Sequence, residues 1–181
     1  TTRQGLLSSP LRGRFGIFYH LDFYAIADLA EIISNSAKVL GVDIAPDACN
    51  AIAARARGTP RIANRLLRRV RDYVQVNRLK CVDCLAADKA MDALGIDKLG
   101  LDDLDRKVLR NIIERYDGGP VGIESLAATM NEETDTLADA VEPYLLKAGF
   151  LKRTPRGREA CELAYRHLGI TLNNQKQKEL F

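Results

Sequence analysis

The 181-residue chain predicts a mainly α fold: a small helical bundle followed by a winged helix-turn-helix domain with a short β-hairpin wing. Two observations carry this expectation. Between Leu29 and Leu94 apolar residues recur at helical spacing, with proline at helix starts and glycine at helix ends. Beyond residue 101 the pattern reads helix, short helix, helix and then a basic hairpin, which is the winged-helix order.

Each element follows from local chemistry. Gly16 precedes an alternating run, Ile17-Phe18-Tyr19-His20-Leu21-Asp22-Phe23, which predicts a half-buried β-strand. A lone strand ahead of a helical chain has no partner in view. Its sheet is therefore expected upstream, and the chain is expected to be the C-terminal piece of a longer polypeptide. Leu29, Ile32, Ile33, Ser36, Ala37 and Leu40 form one helical face, and Gly41 stands at the C-cap. Pro46 opens a second helix that turns Ala48, Ile52, Ala53 and Ala56 inward and closes at Gly58. Thr59 is the expected N-cap of a third helix with Pro60 at N1, its inner face built from Ile62, Leu66, Val70, Tyr73 and Val74. A fourth helix runs from Asp83 to Leu94 and is capped by Gly95.

Residues 96–101 read as a short linker. Asp102 then caps a helix carrying Leu104, Val108, Leu109, Ile112 and Ile113, broken by Gly118-Gly119-Pro120. Residues 123–130 and 134–148 predict two more helices. Phe150 to Thr154 is a strand, Pro155-Arg156-Gly157 a turn, and Arg158 begins the return.

Composition narrows the class. Hydrophobic residues at 46% and charged residues at 28% suit a soluble globular protein. No apolar run approaches the roughly 20 residues of a membrane span, and no basic-then-apolar leader is visible. Cys49, Cys81, Cys84 and Cys161 are too scattered for a disulfide framework, so a reduced, cytoplasmic protein is expected. Charge is split along the chain. Residues 1–80 hold 13 Lys+Arg against 6 Asp+Glu, residues 81–140 hold 6 against 14, and residues 141–181 hold 8 against 4. The pattern points either to polyanions bound at two places across an acidic spacer, or to clustered solvated faces.

Two basic features stand out. Lys152, Arg153, Arg156 and Arg158 lie within seven residues around a tight turn with no acid among them. Long cations on a projecting wing suit DNA phosphates; the alternative is a solvated turn. The preceding helix carries Asp135, Asp139 and Glu142 against Lys147, which argues against its reading the major groove. Arg61 is the second feature. It falls in the first turn of its helix, where the macrodipole disfavours a cation unless an anion meets it there. A solvent-facing arginine is the alternative reading. Arg65, Arg68, Arg69 and Arg71 continue the same helix as a solvated or interdomain face.

At this point the residues resemble a known family. Thr1-Thr2-Arg3, Gly5-Leu6-Leu7, the run from Ser9 to Gly16 (SPLRGRFG), the run from Gly58 to Asp72 (GTPRIANRLLRRVRD), and Gly149-Phe150-Leu151 leading into Arg153-Thr154-Pro155-Arg156-Gly157-Arg158 are similar to the C-terminal part of the RuvB family. These are bacterial AAA+ ATPases that drive Holliday-junction branch migration. The resemblance extends to about Ile170. It implies that residues 1–21 end a AAA+ core, 22–100 form the helical lid, 101–170 the winged helix and 171–181 a flexible tail. It implies further that Arg14 is the arginine finger reaching the neighbouring subunit's γ-phosphate, and that Arg61, preceded by Pro60, is sensor 2 in its own subunit. Tyr24 matches the aromatic beside adenine, and Thr2 or Thr1 matches sensor 1. Arg153, Arg156 and Arg158, with Lys152 beside them, match the wing that meets the DNA backbone. The implied cofactor is ATP with Mg²⁺, its ligands mostly in the upstream core. The implied partners are duplex DNA and the Holliday junction, copies of itself in a hexameric ring, RuvA (through the upstream core) and RuvC.

The departures bear on activity. No G-x-x-x-x-G-K-[ST] motif occurs, since none of the 13 glycines precedes lysine, and no acidic Walker B strand is present. The piece as given is expected to bind ATP weakly and to hydrolyse none. Cys81-x-x-Cys84 has zinc spacing but lacks a second pair of ligands, so ordinary thiols are the expectation. A non-enzymatic winged-helix transcription regulator with a helical dimerisation domain is the alternative function. Such a regulator has no use for Arg14 paired with Gly58-Thr59-Pro60-Arg61.

Overall fold

The computed structural model describes residues 8–17, 19 and 22–171. Thr2, His20 and the tail beyond Thr171 lie outside the described residues. A short helix, α1 (Ser9–Arg12), comes first. The strand expected over 17–23 does not appear among its described residues: Ile17, Tyr19, Asp22 and Phe23 are irregular and exposed. Alternation creates an apolar face, but a strand exists only through the neighbour it bonds. The backbone instead turns into the bundle, where Tyr24 N–H donates to the Gly58 carbonyl at 2.9 Å.

The bundle comprises α2 (Ile26–Val39), α3 (Pro46–Arg55), α4 (Pro60–Val76) and α5 (Cys84–Ala93). Pro46 and Pro60 sit in first turns, where a missing N–H costs no helical bond. The Asp83 carboxylate caps α5 by accepting from Ala86 N–H at 2.7 Å. Thr59 occupies the N-cap of α4, yet its side chain makes no cap bond. Leu29, Ile33, Ile52, Leu66, Leu67, Val70 and Met91 fill the core, each worth about 1.5–3 kcal/mol on burial.

The second unit opens with α6 (Asp103–Arg115), started by a reciprocal capping box between Asp102 and Asp105. It continues through α7 (Ile123–Met130), α8 (Thr134–Thr136), a π-helical turn (Leu137–Val141) and α9 (Glu142–Lys147). Strands β1 (Leu151–Thr154) and β2 (Gly157–Ala160) pair antiparallel, and α10 (Glu162–Leu168) closes the unit. Val121 bridges antiparallel to Arg158, adding a single-residue third strand. Leu101, Leu109, Ile112, Leu145 and Phe150 form its core. The architecture is the mainly α bundle plus winged helix that the sequence predicts.

One further feature differs from expectation. The continuous helix expected over 134–148 is broken by the π turn. Pro143 has no N–H to donate, so α geometry cannot run unchanged through it, and the chain widens before restarting with Pro143 in the first turn of α9. The short linker over residues 96–101 is itself packed. Ile96 packs on the bundle, while Gly100 and Leu101 are buried. No helix among the described residues is long and apolar enough to cross a membrane.

Candidate nucleotide and nucleic-acid sites

The start of α4 is built by an unusual turn. Arg57 (φ +55°) and Gly58 (φ +73°) are both left-handed, and Thr59 then returns to extended geometry before the helix begins. A Cβ on Gly58 would stand 2.7 Å from Phe23 Cβ, so both backbone angle and space require glycine here. Arg61 is exposed in the first turn of α4, which contains no acidic residue. Through the Tyr24–Gly58 backbone bond, the exposed Tyr24 is held against the turn that carries Pro60 and Arg61. Lys147 stands 3.4 Å from the centre of the Phe23 ring, a cation–π contact reaching the same turn from α9. Three of the predicted nucleotide residues are thus grouped. Arg14 is exposed in the turn after α1, its N–H donating to the Leu11 carbonyl at 3.2 Å.

The hairpin is less uniformly available than its sequence suggests. Glu142, 3% exposed, lies beneath it. Arg158 donates through Nε to Oε1 and through Nη2 to Oε2 of Glu142, both at 3.0 Å. Arg153 donates to the same Oε1 through Nε at 3.0 Å and Nη2 at 2.8 Å. The Arg158 side chain is 17% exposed, against 59% for Arg153. Lys152 pairs with Glu159 at 2.8 Å in a largely exposed contact. Arg156, at the turn, is exposed, and the described residues give it no hydrogen bond or ion pair. Glu142 and Glu159 thus supply counter-charges from positions outside the turn, and the fold holds Arg158 against Glu142.

Electrostatics follow this geometry. Burial alone would raise the Glu142 carboxyl, but hydrogen bonds from Arg158 and Arg153 hold it below the ordinary value. Asp97 behaves alike: burial is outweighed by bonds from Leu101 N–H, His167 and Leu99 N–H, and its carboxyl is lowered. A depressed carboxylate contributes stability above its unfolded value near 4.5 that is lost as pH falls through the folded value. Asp105 acts in the opposite sense. Its burial, only partly offset by Arg57, pushes it up to about 6. The expected melting temperature thus falls as pH drops below about 4.5, and Glu142→Gln flattens that fall. Thermal melts of both proteins between pH 7 and pH 3 check this.

His167 joins a contact that its place in the sequence does not announce. Its Nε2 lies 2.8 Å from Asp97 Oδ2, and its ring meets Phe150 edge-on at 5.4 Å. The cysteine thiols are free; Cys49 is buried in the bundle core, and burial raises its thiol pKa.

Comparison with known proteins covers both units. The RuvB AAA lid domain model matches residues 24–97, and the RuvB C-terminal winged helix domain model matches residues 98–169. The Holliday junction branch migration complex subunit RuvB of Ligilactobacillus salivarius is 53% identical over 175 residues, covering 97% of this chain and 52% of that protein. The subunit of the same name from Pseudothermotoga lettingae is 57% identical over 169 residues, covering 93% of this chain and 49% of that protein. Among solved structures, the Thermotoga maritima RuvB Holliday junction branch migration motor superposes with a TM-score of 0.88 at 54% identity, over 94% of this chain and 57% of that one. The chain spans about half the length of the curated relatives it matches. It belongs to the RuvB family and comprises the family's AAA lid and C-terminal winged-helix domain.

Proposed function

We propose that this chain is the lid and DNA-contacting portion of an ATP-driven motor that moves Holliday junctions in recombination and repair. The observation that carries the nucleotide half is the turn at the start of α4. There Pro60 and Arg61 open a helix with no acid in its first turn and no side-chain cap, and Tyr24 is bonded to the preceding Gly58. Such an end suits a phosphate, which fits ATP. In this reading Arg61 senses the γ-phosphate held by its own subunit. Arg14 acts on the neighbour's nucleotide, and Thr2 or Thr1 serves as sensor 1. Bound ATP with Mg²⁺ supplies the phosphoryl group and its counter-charge, with metal ligands in the upstream core. Arg14 and Arg61 contribute positive charge where negative charge develops. The working form is a hexameric ring on duplex DNA in the cytoplasm, partnered by RuvA through the upstream core and by RuvC. A transcription regulator on the same winged helix would leave the α4 turn without a task, and the lid match runs against it.

The DNA half rests on the hairpin. Arg156 is the foremost contact, and the exposed Lys152 joins it by exchanging its half-buried partner Glu159 for phosphate. Arg153 retains enough exposure to reach a backbone while bonded to Glu142. These contacts hold the duplex without reading its sequence. Replacing Arg156 with alanine is expected to weaken duplex binding evenly across unrelated sequences and to reduce the slope of log affinity against log salt by about 1. Fluorescence anisotropy over a salt series measures both. Unchanged affinity, or a loss confined to one sequence, contradicts the assignment.

A further inference from the structure

The Arg57 side chain connects the two units. It precedes Gly58-Thr59-Pro60-Arg61 directly and is held in left-handed geometry, at φ +55°, that a side chain rarely adopts. Its guanidinium, 13% exposed, crosses to the winged helix. Nη2 donates to Asp105 Oδ2 at 2.5 Å and to Asp102 Oδ2 at 3.3 Å, and Nε donates to the Gly100 carbonyl at 2.7 Å. The guanidinium also lies over the Tyr144 ring, 4.8 Å from its centre, and Tyr144 O–H donates to the Leu99 carbonyl at 2.6 Å.

Asp105 is fully buried. Besides binding Arg57, it accepts from Asp102 N–H and so completes the α6 capping box. One carboxylate therefore fixes both the start of the winged helix and its grip on the bundle. The backbone agrees with this close approach. A Cβ on Gly100 (φ +76°) would meet the Arg55 carbonyl at 2.7 Å, so the connection can pack against α3 only as glycine. Arg55 anchors the end of the bundle's own chain, donating to the Asp97 carbonyl at 3.2 Å while paired with Asp88 at 2.7 Å.

We infer that Arg57, through Asp105, is a positioning residue that locks the sensor turn at the start of α4 to the winged helix, so that nucleotide-dependent movement of the turn is delivered to the DNA. Arg57 touches neither nucleotide nor DNA in this scheme, and the inference rests on the motor reading above. Without the lock the bundle can still respond to nucleotide and the hairpin can still hold duplex. What is lost is transmission between them.

The test uses the full-length protein with Arg57→Gln, Asp105→Asn and both together, assayed for DNA-dependent ATP turnover, duplex affinity and junction movement on a synthetic four-way junction. Turnover and affinity are expected to stay within about twofold, while junction movement per ATP falls by about tenfold. The double variant is expected to match the singles, because each breaks one shared link. Arg57→Lys keeps the charge but loses the fork geometry, so it should recover part of the coupling. Calorimetry controls for folding: both cores must still melt, and the two units are expected to uncouple into separate transitions. An unchanged ratio of movement to turnover, or turnover and movement falling together in variants with both cores intact, overturns the inference. If the unmutated protein moves no junction, the motor reading fails, and the calorimetric linkage alone then decides whether Arg57 joins the units.

Discussion

Arg14→Ala, made in the full-length protein, is expected to cut ATP turnover by about 10³-fold while leaving ATP binding nearly intact. The size follows from the role: a finger contributes charge in the transition state and little in the ground state. Its exposure fits a residue that serves another subunit. Mixing Arg14→Ala with a second variant lacking the P-loop lysine should therefore restore part of the turnover, because some intact P-loops then sit beside intact fingers. Arg61→Ala should show no such rescue. In the proposed reading Arg61 serves its own subunit's nucleotide, beside the turn bonded to Tyr24 of the same chain. Equal rescue of both variants, or rescue of neither, defeats the assignment of one arginine to each side.

Glu142→Ala is expected to destabilise the winged helix by about 3 kcal/mol, lowering its melting temperature by roughly 15 °C. Removing the carboxylate leaves Arg158 largely buried and without its two hydrogen bonds. The lower end of the range for broken buried pairs applies, because Arg153 can turn to water. Arg153→Ala should accordingly cost far less than Glu142→Ala. Calorimetry of the three proteins at pH 7 ranks them. A shift below about 4 °C for Glu142→Ala would mean the pair is peripheral to the domain's stability.

The fold was legible where local chemistry sets it. Pro46, Pro60, Gly41, Gly95, Asp83 and Asp102 punctuate helices by rules that act within one turn, and the boundaries they imply lie within a residue or two of those observed. The π turn escaped because Pro143 can end, kink or widen a helix, and packing chooses among these. The run from Ile17 to Phe23 misled because alternation records an apolar face without recording a partner. In the candidate sites, the position of Arg61 in a first helical turn was legible, whereas the bond of Arg158 to Glu142 was not. Its partner Glu142 lies 16 positions earlier, and Asp105 lies 48 positions from Arg57. At such separations only the fold brings charges together, and an arginine bound for a buried carboxylate looks in sequence like one bound for phosphate.

The most direct test of the central claim is to join this chain, from Thr1, behind the upstream half of the Thermotoga maritima relative and to measure junction movement. The chimera is expected to hydrolyse ATP in a DNA-dependent manner and to drive a synthetic four-way junction to completion, with Arg61→Ala abolishing both. A chimera that folds and hydrolyses ATP but leaves the junction where it began would contradict the account.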